Sequence, residues 1–185
     1  MKKVYVLLNE TFEEVEALTI VDYLRRAEIE VKTVSMHDEL YVKSSHDVVV
    51  KADMLFKDLN KEEIDILFIP GGLPASRILS ENEEVKELIR YLDKNKKTIS
   101  AMCAGPLSLE TAGIIKDKEI TSFPSVKDQL NPKAYLEDAV VISDNVITSR
   151  SAATAGFLAM TLIEKIAGEE KRKEVEKQVL FNYVK

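Results

Sequence analysis

Residues 98 to 106, TISAMCAGP, contain the only cysteine of a 185-residue chain, and the rest of the sequence is read outward from them. The run from Thr98 to Met102 is continuously apolar or small rather than alternating, which suits a strand covered on both faces. Cys103 follows it at once, and Ala104, Gly105 and Pro106 open a helical pattern. A strand that turns sharply into a helix through small residues is the logic of a nucleophile elbow, although the sequence lacks the G-x-S-x-G pattern of hydrolases. At a helix N-terminus the macrodipole favours a thiolate and lowers its pKa. A free cysteine equally suits the role of a small buried hydrophobe.

Similar apolar runs recur on both sides: VYVLL at 4–8, VKTVSM at 31–36, DVVV at 47–50, DILFIP at 65–70, VVIS at 140–143 and VITS at 146–149. Helical spacing separates them, in Val15, Leu18, Val21 and Leu24, in Val85, Leu88, Ile89 and Leu92, and in Leu158, Leu162 and Ile166. Alternating strands and helices predict an α/β sandwich on a mostly parallel sheet, with the pair around 40–50 as an antiparallel edge. The mixed-charge stretch 164–178 predicts a helix ending near Gly168 and a solvated terminal helix. No Pro-, Gly- or Ser-rich linker divides the chain and no repeat appears, so residues 1–185 read as a single domain.

Composition narrows the function. Hydrophobic residues make up 45% and charged residues 31%, ordinary for a soluble globular protein. A net charge of -6 disfavours binding to nucleic acid or to an anionic membrane surface. One cysteine with two histidines, His37 and His46, excludes an intramolecular disulfide and a four-ligand Cys/His zinc module. The apolar run after the basic start is too short for a signal peptide, and nothing approaches the roughly 18 apolar residues of a membrane span. The expectation is a cytoplasmic protein with a free thiol, no metal and no organic cofactor.

In an open α/β sheet, ligands bind beyond the carboxyl ends of the strands. Two further junctions stand out there: NETFEEVE at 9–16, and Pro70-Gly71-Gly72, where glycine permits close backbone approach. Each has a plain alternative, since acidic residues commonly open a helix and glycines commonly close a strand. Together with Cys103 they would bring a carboxylate, a thiol and backbone amides to one sheet edge.

The segments FEEVEALTIVDYLRRA, SSHDVVV, DILFIPGG, ISAMCAGPLSL, ITSFPSVKDQL and VITSRSAATA, in this order, resemble the ThiJ/PfpI superfamily and specifically its DJ-one deglycase branch. The resemblance implies a flavodoxin-like three-layer sandwich with helices on both faces of the sheet. It implies that Cys103 is the elbow nucleophile, that Glu16 touches its sulfur, and that Gly72 and the Ala104 amide form an oxyanion pocket. Arg26 and Arg150 match basic positions near the pocket in relatives, for an anionic substrate group or a subunit interface, with an ordinary surface arginine as the alternative. His46 falls where relatives can carry an arginine. Phe123 stands where relatives often hold a histidine, which leaves Glu16 as the evident acid/base. Ala104 after the nucleophile disfavours a Cys-His peptidase, and neither histidine lies after Cys103 as an amidotransferase would need.

The resemblance implies one of two functions. The first is a cofactor-independent deglycase or glyoxalase acting on reactive dicarbonyls or their early adducts through Cys103 and Glu16. The second is a redox-sensing stress or chaperone-like protein whose Cys103 is oxidised to a sulfinate. It further implies a homodimer, for which the apolar face from Val15 to Leu24 is a candidate, as it is for the core.

Overall fold

The computed structural model describes residues 2–184. Along the chain run β1 (Lys3–Leu8), α1 (Glu14–Arg26), β2 (Glu30–Ser35), β3 (Tyr41–Lys43), β4 (Val49–Lys51) and β5 (Met54–Leu55). There follow β6 (Ile66–Ile69), α2 (Ala75–Glu81), α3 (Glu83–Lys94), β7 (Thr98–Met102), α4 (Pro106–Ala112), β8 (Glu119–Ile120) and β9 (Ala134–Tyr135). The chain ends with β10 (Val140–Ser143), β11 (Val146–Ser149), α5 (Ala155–Ala167) and α6 (Glu169–Gln178).

Seven strands form the central sheet in the order β10-β11-β7-β6-β1-β2-β5. All neighbours run parallel except β10, which pairs antiparallel with β11. The reason lies in the side chains of β1. Val4, Val6 and Leu8 enter one core with α1 and α5, while Tyr5 and Leu7 enter a second core with α3 and α4. A strand buried on both faces must be apolar at every position, and crossover helices must cover both sides. The result is a flavodoxin-like α/β sandwich, as expected.

Two expectations need correction. The antiparallel pair at 40–50 is not an edge of the main sheet: β3 and β4 pair only with each other, and the antiparallel edge is β10. Their hairpin instead lies against the loop after β1, where Thr11 N–H donates to Lys43 O at 2.8 Å and Ser45 N–H donates to Phe12 O at 2.9 Å. The apolar face of α1 is also rotated. Glu16, Ala17, Ile20, Val21 and Leu24 are its buried residues, whereas Val15 is 52% exposed. No helix among the described residues is long and apolar enough to cross a membrane.

Candidate active site

The parallel strands end on one edge, and four of the loops leaving it converge. Cys103 follows β7 with φ of +57°, a left-handed conformation that is rare for residues with a Cβ and costs on the order of 1–2 kcal/mol. It is held there from both sides. Its N–H donates to Ser149 O, and its own carbonyl accepts from Phe123 N–H, each at 2.9 Å. Gly105 makes the turn sterically possible, because a Cβ there would lie 2.6 Å from Ile69 O and 2.9 Å from Met102 O. The strand-cysteine-helix elbow expected from TISAMCAGP is present.

Glu16 comes from the first turn of α1 and is fully buried. Its Oε2 accepts the Gly71 N–H at 2.6 Å, and its carboxyl hydrogen-bonds with the Cys103 thiol. A Cβ on Gly71 would lie 2.7 Å from both Cys103 Cβ and Glu16 Oε2, so only glycine lets these three groups meet. Gly72, with φ of +104°, has no room for a side chain against Thr11 O at 2.3 Å. The loop carrying Glu13 is fixed to the same turn by Glu13 N–H donating to Gly71 O at 3.1 Å.

The electrostatics differ from the helix-terminus expectation. Burial, the charge of Glu16 and hydrogen bonding to it all push the Cys103 thiol well up; only the Ala104 N–H, which donates to the sulfur, opposes them. Helix α4 begins three residues later and has only seven residues, too little to reverse this. Burial also raises the Glu16 carboxyl, to about 7. Two acids in contact cannot both ionise cheaply, so the pair holds two protons below about pH 7 and keeps one of them, shared, above it. The helix dipole therefore does not account for a thiolate here, and Glu16 is the group placed to accept the thiol proton.

A cavity of about 300 Å³ opens above the sulfur, lined by Glu13, Glu16, Gly72, Leu73, Cys103, Ala104, Phe123 and the 151–153 turn. Cys103, Glu16, Gly72 and Ala104 all line this one cavity. Arg26 is not with them: it lies in the last turn of α1, about 15 Å along the helix from Glu16, and pairs with Asp22 at 2.7 Å. Arg150 does not line the cavity either, and its Nη2 lies 3.7 Å from Glu137. His46 stands outside it on the β3–β4 turn, 2.8 Å from Glu14 and 3.9 Å from Glu13.

Sequence reasoning included Gly71 and Glu13 only as parts of the 70–72 and 9–16 junctions, with no role of their own, and missed the turn Ser151–Ala153. For Glu13 the signal was available, because residues three apart share a helix face and Glu13 precedes Glu16 by three. Ser151 to Ala153 follow the parallel strand β11, at another strand end. Which of two adjacent glycines faces the carboxyl had no sequence signal.

The family model described as DJ-1/PfpI family matches residues 2–165. The Drosophila melanogaster protein dj-1beta is 36% identical over 98% of each chain, and the crystal structure of Drosophila DJ-1beta superposes with a TM-score of 0.93, covering 97% of each chain at 35% identity. A Caenorhabditis elegans protein named glutathione-independent glyoxalase DJR-1.2 is 35% identical over 92% of this chain and 91% of its own. The solved structure of oxidized Toxoplasma gondii DJ-1 has a TM-score of 0.93 at 32% identity, covering 97% of this chain and 98% of its own. With this sheet order, this elbow and these matches along nearly its whole length, the chain belongs to the DJ-1/PfpI family.

Proposed function

We propose that the chain is a cofactor-independent glyoxalase, which also accepts early adducts of dicarbonyls with small thiols or amines. The observation that carries this reading is the contact of one buried carboxyl, one thiol and one backbone N–H at the floor of a single cavity. The Cys103 thiolate adds to the aldehyde carbon of methylglyoxal, and Glu16 protonates the new oxyanion beside the Gly72 and Ala104 amides. The Glu16 carboxylate then removes the hydrogen on that carbon and returns a proton to the neighbouring ketone carbon, while the new hydroxyl passes its proton to the ketone oxygen, leaving a lactoyl thioester. Water hydrolyses the thioester to lactate and restores the thiol. No electrons leave the substrate; one carbon is oxidised as its neighbour is reduced.

The name of the nematode relative supports the same chemistry, and the cavity has room beyond methylglyoxal for a glycated adduct. Exposed Val15 on α1 offers apolar surface for a homodimer contact. A lone cysteine suits a reducing compartment such as the cytoplasm. The test is lactate release from methylglyoxal by the pure protein, expected to vanish in Cys103→Ser and in Glu16→Gln. No lactate above the Cys103→Ser blank overturns the glyoxalase reading.

The similarity to oxidized Toxoplasma gondii DJ-1 favours a second reading for the same sulfur. No other cysteine exists to resolve a sulfenate, so peroxide would carry Cys103 on to a sulfinate, held by Glu16 and the Ala104 N–H. A mass gain of two oxygens at Cys103 under mild peroxide, without lactate release, would make this a redox-responsive stress protein.

A further inference from the structure

Each glyoxalase turnover consumes neutral methylglyoxal and water and ends in lactate plus one proton, because lactic acid leaves ionised. Glu16 is poorly placed to export that proton: it is fully buried, and its one backbone contact is the Gly71 N–H. A second carboxylate lines the same cavity. Glu13 sits one helical turn before Glu16, and its charge acts on both Glu16 and Cys103.

Glu13 leads outward. Its Oε2 accepts from the Ser45 hydroxyl at 3.1 Å, and the same hydroxyl lies 3.1 Å from Glu14 Oε2 and 3.3 Å from His46 Nδ1. One hydroxyl carries one hydrogen, so among three partners it can donate to one carboxylate while accepting from Nδ1–H. His46 Nδ1 also reaches Glu14 Oε1 at 2.8 Å, and its side chain is 70% exposed. The charged groups around the imidazole are Glu13, which precedes α1, Glu14 at its start, and Asp47 from its own turn. Imidazole is the side chain suited to trading protons with water near neutral pH.

We infer that Glu13 is a second acid–base group of the cavity, and that Ser45 and His46 carry its proton between the cavity and solvent. The inference rests on the glyoxalase reading and deepens it. When water attacks the lactoyl thioester, its first proton goes to Glu13 as the thiolate leaves, passes through the Ser45 hydroxyl to His46, and is released to buffer. Glu16 is left to serve the sulfur and the substrate carbons. The route starts from a different element than Phe123, the position where relatives often hold an imidazole.

The test measures kcat and KM for methylglyoxal in wild type, Glu13→Gln and His46→Gln, with and without added imidazole, alongside the rate of Cys103 alkylation by iodoacetamide. Glu13→Gln should lower kcat about 100-fold or more with a small change in KM, the lower end of what general acid–base catalysis supplies. His46→Gln should lower kcat less and recover with imidazole, while alkylation stays at the wild-type rate in His46→Gln and is no slower than wild type in Glu13→Gln, which loses a charge that opposes the thiolate. Wild-type kcat in Glu13→Gln overturns the inference and leaves the glyoxalase reading standing. A loss matched by slower alkylation, or one in His46→Gln that imidazole does not restore, assigns these residues to shaping the cavity and also overturns it. Absence of lactate from wild type overturns the glyoxalase reading, and the inference falls with it.

Discussion

Gly71 holds the Glu16 carboxylate by an N–H···Oε2 bond of 2.6 Å, from a Cα on which a methyl group would stand 2.7 Å from that same oxygen. The donor and the empty space are one feature. A backbone amide can approach a buried carboxyl and a thiol together only where there is no side chain to keep them apart.

Gly71→Ala should therefore disable the site more than it destabilises the fold. The obstructing atoms are the Glu16 and Cys103 side chains, which can retreat, so the stability cost should be about 1–3 kcal/mol, the usual range for overpacking. Gly105→Ala meets the Ile69 and Met102 carbonyls, which cannot move without the sheet, and should cost more. Denaturant unfolding of both variants with Cys103 alkylation rates checks this; equal stability with wild-type alkylation in Gly71→Ala would contradict it.

The raised Glu16 carboxyl makes stability depend on pH. An ordinary glutamate releases its proton near 4.5, but in the native state Glu16 holds it to about 7. Between these values the native state binds more protons than the unfolded one, so stability falls as pH rises. The penalty is complete above about pH 7 and amounts to about 3 kcal/mol. Glu16→Gln keeps the acceptor for Gly71 N–H and removes the charge. It should match wild type near pH 4.5 and be several degrees more thermostable at pH 8, as a melting series across pH would show. Parallel pH profiles for the two proteins would exclude Glu16 as the source.

The strain at Cys103 predicts an inverted glycine effect. Glycine usually costs stability relative to alanine, but at φ of +57° alanine keeps the left-handed penalty and glycine does not. Cys103→Gly should thus be at least as stable as Cys103→Ala, by up to about 1 kcal/mol. Thermal melts of the pair decide it; an alanine variant clearly more stable than the glycine variant would mean that the elbow relaxes once the sulfur is gone.

What the sequence made legible follows from what burial demands. Runs such as VYVLL and TISAM read as strands because both faces are covered, and a continuous apolar run has few other uses. The two-residue strands β5, β8 and β9 are too short to show any period, and the hairpin at 41–51 looks like a sheet edge because nothing local says which backbone it will lie against. At the site, Cys103 stood out by composition and by its place after a strand. Its proton chemistry did not, because the sign depends on how deeply Glu16 is buried and how closely it approaches, which no spacing encodes. Val15 misled for a related reason: the buried stripe of α1 is displaced to include Glu16, a polar residue that periodicity counts as surface.

Phe123 offers the last test. Its ring lines the cavity while 41% exposed, and its N–H supports the elbow through Cys103 O, so a new side chain there leaves the backbone contact intact. An exposed phenylalanine contributes less to stability than a buried one, and Phe123→His should cost below about 1 kcal/mol. The imidazole would add a further acid–base group to the cavity that Glu13 and Glu16 also line. If proton movement limits the isomerisation, kcat for methylglyoxal should rise about tenfold, less than the roughly 100-fold at the lower end of general acid–base catalysis because Glu16 already serves these carbons. The gain should fade below about pH 6, where imidazole is protonated and no longer a base. A pH-independent increase would instead indicate that removing the phenyl ring merely widened the entrance, and the same rise in Phe123→Ala would establish that.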